Sequence, residues 1–138
     1  MAVVALTPRV RTIVVCDDVS ASLTADRVFT LDGVRFEILA PSVPCRAALH
    51  VFLVLSSPRK GTFPGKILLV NERDQKLVRY AKFVAAFEQE NQLVPYGFDI
   101  GEVVFPNSGQ FRFEVYFAVR GTEVLKGEHP FTIMSDED

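Results

Sequence analysis

This sequence predicts an all-β domain of two packed sheets, and three observations predict it. Short apolar runs recur between turn residues at fairly regular spacing, the pattern of a sandwich or barrel. Several of those runs alternate apolar and polar side chains with the strand period of about two. The chain has 138 residues, 49% of them hydrophobic, with 12 Phe and no Trp, which suffices for one buried core. Such a composition excludes a disordered chain. No apolar run approaches the roughly 20 residues of a membrane helix.

The elements follow in order. Residues 10–16 form the first strand, ended by Asp17 and Asp18, which are poor strand residues. A loop over 20–26 follows, then a strand over 27–31. Asp32-Gly33 between two apolar runs is a hairpin signal. The return run, 34–39, sets Val34, Phe36 and Ile38 on one face and Arg35 and Glu37 on the other. Pro41 and Pro44 interrupt the ladder. Residues 47–55 are apolar on both faces, so this strand is either central and covered or turned toward a partner. A loop over 56–65, a strand over 67–70 and a turn over 71–75 come next. Residues 76–92 fit a helical face through Leu77, Tyr80, Ala81, Val84 and Phe87. They also fit alternation through Leu77, Ala81, Phe83, Ala85 and Phe87, with Arg79 as the exception. Neighbouring strands on both sides favour the strand. Residues 99–105 are a strand, 106–109 a turn, and 111–119 a core strand with Phe111, Phe113, Val115, Phe117 and Val119 on one face. Strands over 123–126 and 131–134 close the chain, and residues 135–138 read as a disordered tail.

About eight or nine strands on short turns need two layers, and an antiparallel Greek-key sandwich of the immunoglobulin-like kind meets that need. A closed barrel is the alternative. One domain over 1–138 is expected, with no linker, repeat or low-complexity block. Residues 1–7 lack the basic lead of a secretory signal, so the expected compartment is the cytoplasm.

Several segments carry a family likeness. They are Val15-Cys16-Asp17-Asp18-Val19, Leu31-Asp32-Gly33-Val34 and Ala40-Pro41-Ser42-Val43-Pro44. The ending adds Val104-Phe105-Pro106, Gly109-Gln110-Phe111-Arg112-Phe113 and Gly127-Glu128-His129-Pro130-Phe131. Together, over residues 10–134, they resemble a family of small uncharacterised bacterial proteins of unknown function, marked by an N-terminal Cys-Asp and a closing hairpin. The resemblance implies a bacterial source and a β-sandwich, and no chemistry. This chain departs from the family at Val43, where Phe would be expected.

Candidate chemistry is sparse. Cys16 and Cys45 read as two reduced thiols in or near the core, with a disulfide between them left open. The two histidines, His50 and His129, lie in strand contexts, so a Cys45–His50 catalytic pair is disfavoured by the reach of a strand. Asp17, Asp18 and Asp26 share one loop and are the only metal candidates. Calcium takes roughly six to eight oxygens, and no second acidic loop matches. The Gly-Lys of 61–66 lacks the spacing of a phosphate loop. No cofactor and no resident metal are expected.

Charge is uneven. Residues 58–82 carry seven basic and two acidic side chains, inside a chain of net charge −2. This is a solvated face or a patch that meets an acidic partner. The acidic total and the absence of an RNA-binding signature argue against nucleic acid. Two function classes remain. One is a non-enzymatic protein-binding or assembly module, docking a partner or a second copy as a homodimer. Its contact candidates are Phe52 and Val54 on the doubly apolar strand, with Arg73, Lys76, Arg79 and Lys82 for charge. The other is a ligand-binding protein or enzyme with a pocket between the sheets. The first is favoured, because no catalytic set is visible.

Overall fold

The computed structural model describes residues 7–136. Every element in it is a strand: β1 Arg9–Cys16, β2 Asp18–Ala21, β3 Phe29–Asp32, β4 Glu37–Ala40, β5 Cys45–Ser56, β6 Gly61–Asn71, β7 Lys76–Phe87, β8 Leu93–Phe105, β9 Gly109–Val119 and β10 Thr122–Ser135. The expected all-β two-sheet sandwich is present. No helix among the described residues is long and apolar enough to cross a membrane.

One sheet has the order β1-β5-β8 and the other β4-β10-β9-β6-β7, with β2 and β3 as a separate two-stranded ribbon. The sheets meet through a core whose fully buried large side chains include Phe105, Phe111, Phe113, Phe117, Phe131, Leu49, Leu53 and Leu55. Alternation explains the choice of residues. Leu49, Val51, Leu53 and Leu55 all face inward from β5, and Phe111, Phe113, Val115 and Phe117 face them from β9. The 76–87 stretch is a strand, paired antiparallel with β6 from Gly61↔Phe87 to Asn71↔Lys76.

Several local expectations are corrected. Ten strands form among the described residues rather than eight or nine. They are not all antiparallel, because β4 runs parallel to β10, with Ile38 opposite Ile133. Asp32-Gly33 makes a turn but no hairpin between its flanking runs. The run before it pairs with β2, so Asp18 starts a strand instead of a loop. Phe36 does not join an inward row, and it and Leu39 are 72% and 75% exposed. The stretch 61–65 is strand rather than loop. Pro64 is tolerated there because pairing of β6 with β9 begins only at Gly65. Residues 122–135 form one strand, kinked by a bulge at Lys126. Ser135 belongs to it, opposite Ala40. Residues 137–138 of the expected tail and residues 1–6 lie outside the described residues.

His129 sits opposite Phe113 on β10. Burial pushes its pKa below the usual imidazole value of 6.5. The folded state therefore disfavours the imidazolium relative to the unfolded chain. Stability is full above that ordinary value and falls as pH drops through it toward the lower folded value. The urea midpoint is expected to fall between pH 7.5 and pH 5.5, and His129→Leu is expected to flatten that fall. An unchanged slope in the variant would remove His129 from the account.

Candidate functional site

The two-stranded ribbon lies over the outer face of the β1-β5-β8 sheet. Phe29 of β3 packs on Phe52 with ring centroids 5.4 Å apart. Val19 of β2 lies against Gly97, where an added Cβ would come within 2.9 Å of a Val19 methyl. Gly97 is therefore the residue that lets the ribbon close down. The outer face of β5 is thus partly covered by the chain itself, and both Phe52 and Val54 are half-buried.

The turn from β1 into the ribbon gathers Cys16, Asp17, Asp18 and His50. Cys16 pairs with His50 across β1 and β5. His50 Nδ1 donates to the Asp17 carbonyl at 2.9 Å. Its Nε2 lies 3.7 Å from the Asp18 carboxylate. The residue types are those of a nucleophile, a base and an acid, but the environment is wrong for it. Burial pushes the Cys16 thiol up, against a hydrogen bond from the Asp18 backbone, and nearby carboxylates push the same way. The imidazole instead pins the bend between β1 and β2. Asp17 is taken by Arg35, which bonds both its oxygens, Nη2 at 3.1 Å. That ion pair holds the Asp17 carboxyl below its usual range. Asp26 lies in the exposed loop between β2 and β3. No group of three or more His, Cys, Asp or Glu among the described residues could hold a metal ion.

Cys45 pairs with Phe105 at the start of β5, five positions along the strand from His50. At the strand rise this is about 16 Å, far beyond the roughly 7 Å that a disulfide or a catalytic pair allows. Both thiols are free. Burial raises the Cys45 pKa as well.

The four basic candidates fall into two groups. Arg79 is structural. Alternation sets it on the inward side of β7, in one row with Ala81, Phe83, Ala85 and Phe87, and a bulge at Val78 interrupts the pairing just before it. A second bulge, at Ile100 of β8, frees a carbonyl from the ladder. Arg79 Nε donates to that carbonyl at 2.8 Å, tying the edges of the two sheets together. Gly101, with φ of +80°, makes room, because a Cβ there would meet the Arg79 guanidinium at 2.7 Å. Beneath this tie, the gap among Ile67, Leu69, Ile100 and Phe113 leaves no space for a water molecule. Arg73 also turns back onto the fold, donating to the Ser108 carbonyl at 3.3 Å.

Lys76 and Lys82 are different. Both are exposed on β7, the terminal strand of its sheet. Neither side chain has an acidic partner among the described residues. They share that strand with exposed Leu77, Tyr80 and Val84. Lys82 stands opposite Lys66 of β6, which pairs with Glu123 and lies over the Tyr116 ring at 5.7 Å. These residues, with Gly65 and Ala118, border a shallow cleft of about 190 Å³. Beyond it the sheet face is closed by Glu114, buried and accepting from Arg112 Nε at 2.6 Å and from the Tyr116 hydroxyl at 2.9 Å.

No protein-family model and no curated protein matches the chain. Among solved structures, it is similar to part of a glycosyl hydrolase family 2 member from Bacteroides cellulosilyticus, at 15% identity and a TM-score of 0.49 over 66% of this chain. The chain spans 13% of the length of that protein.

Proposed function

We propose that the chain is a non-enzymatic protein-binding module whose contact element is the β7 edge. The observation that carries this reading is a twelve-residue edge strand, Lys76–Phe87, that bears unpaired lysines among exposed apolar side chains. An edge strand offers a row of backbone donors and acceptors to an added strand. Lys76 and Lys82 bias the choice of that strand. A second copy of β7 would bring the same cations against them, which costs energy, whereas an acidic strand meets opposite charge. The partner is therefore an extended acidic segment of another protein rather than a second copy of this chain. Phe52 and Val54 then serve the fold, Phe52 beneath the ribbon, and Arg73 and Arg79 hold the frame. The proposed setting is the cytoplasm, whose reducing conditions two separate thiols suit.

The test uses two ten-residue peptides, alternating Val-Glu and alternating Val-Lys, titrated into isotopically labelled protein. Amide shifts along β7 with the acidic peptide alone, weakened at high salt, are the expected result. Lys76→Glu with Lys82→Glu should lower that affinity at least tenfold. Equal binding of both peptides, or no binding, would sink the proposal. So would a salt-resistant dimer in light scattering, which would point to self-association.

A further inference from the structure

We infer that the end of the β1-β5-β8 sheet is a binding site for a phosphate-type oxyanion, held by Arg9 and Arg11. The site is independent of the β7 edge. It begins with a bulge. In β1, Val10 pairs with Leu55 and Thr12 with Val54, so Arg11 is the extra residue. Val15 and Ile13 face the core, and strict alternation would send Arg11 inward after them. The bulge instead gives the inward position to Val10, which packs against Gly127. Arg11 is turned outward, to the same cleft that Arg9 reaches from the strand start.

The cleft has a volume of about 300 Å³ and is lined by Arg9, Arg11, Ser56, Ser57, Pro58, Asn91 and Leu93. Its lining includes no acidic side chain; Glu88 and Glu90, on the same turn as Asn91, do not border it. Neither arginine has a carboxylate partner among the described residues. Arg11 Nε donates to Ser56 Oγ at 2.8 Å, which orients the guanidinium and leaves its two terminal amino groups for a ligand. Ser57 Oγ donates to the Arg59 carbonyl at 2.7 Å, which fixes the direction of that hydroxyl. Two guanidinium groups lining one cleft with a neutral floor suit a tetrahedral dianion, because each can hold such an anion through paired N–H donors. Leu93 and Pro58 add an apolar wall that suits the organic part of a phosphate ester.

The experiment is a titration of the whole chain with inorganic phosphate and with phenyl phosphate at constant ionic strength. Binding is followed by phosphorus resonance broadening and by the shift in melting temperature. Saturable binding of either probe is expected, and tighter binding of phenyl phosphate would assign the site to an ester rather than to the free anion. Arg11→Gln and Arg9→Gln should each weaken binding at least tenfold, Arg11→Lys should recover only part of it, and Lys82→Gln should change nothing. If Arg11→Gln loosens the fold through its Ser56 bond, Arg9→Gln still decides the matter. Binding unchanged in Arg9→Gln and Arg11→Lys would overturn the assignment. So would stabilisation by chloride equal to that by phosphate.

Discussion

Replacing Phe105 by Ala is expected to cost about 3–5 kcal/mol of folding stability, the usual range for a buried Phe truncated in place. The ring is fully buried near the end of β8. It meets Phe111 edge-on at 5.1 Å and Phe131 at 5.9 Å, so it joins the β1-β5-β8 sheet to β9 and β10 of the other. Its neighbours are themselves held, Phe131 against Phe113 at 5.9 Å, and cannot collapse into the space. Domains of this size are stable by roughly 5–15 kcal/mol, so the variant loses a large share of the total. In urea its midpoint should fall by about 1 M or more. Phe105→Leu, which keeps much of the volume, should lose about 1.5 kcal/mol or less. A loss near 1 kcal/mol in the alanine variant would mean that this ring does not tie the sheets together.

The second large effect comes from adding atoms instead of removing them. At Gly65 an added Cβ would lie 2.7 Å from the tip of the Phe83 ring and 3.0 Å from Phe117. Phe83 cannot retreat. It is wedged between Tyr96 at 5.2 Å, Phe98 at 5.6 Å and Phe117 at 5.6 Å. Gly65→Val is therefore expected to destabilise by about 1–3 kcal/mol through overpacking. Lys66→Ala, one residue on and facing outward, should cost about 1 kcal/mol or less, because its ion pair is a surface one. Denaturation of Gly65→Val, Phe83→Leu and the double variant completes the test. The smaller leucine side chain should recover part of the loss, a coupling expected only for residues in contact. Additive losses would show that the clash is relieved elsewhere.

Both expectations concern inward positions, and those were the most legible part of the chain. Period-two alternation over 111–119 named the core strand and its face without help, because burial on one side of a pleated strand leaves that trace directly in the residues. The doubly apolar run at 47–55 announced cover on both faces. What provides the second cover was not readable, because the ribbon reaches Phe52 through Phe29, more than twenty positions away in sequence. The Asp32-Gly33 signal was locally sound and still misled. A turn dipeptide specifies a reversal, but partners for the strands beside it are chosen by distant surfaces, here β2 and β10. Arg79 stood out as the break in an alternating row. Its reason is a carbonyl freed by a bulge on another sheet.

The candidate sites divide along the same line. The positive charge of 58–82 was visible as composition, but only tertiary packing separates Lys76 and Lys82, left facing solvent at an edge, from Arg73 and Arg79, turned back onto the fold. Asp17 and Asp18 were legible as a strand end, not as the ligands of Arg35 and His50. Arg9 and Arg11 leave only a faint trace in the sequence, two cations two positions apart at the start of an apolar strand, and it takes the bulge to turn both to one cleft. By itself, the sequence determined that this chain is a β-sandwich and which side chains fill much of it, since hydrophobic burial acts residue by residue with the period of the strand. Tertiary structure alone decided the bulges, the covering ribbon, and which charges remain free. Those depend on register between segments far apart in the chain, and a one-residue shift in register reverses the direction of every side chain beyond it.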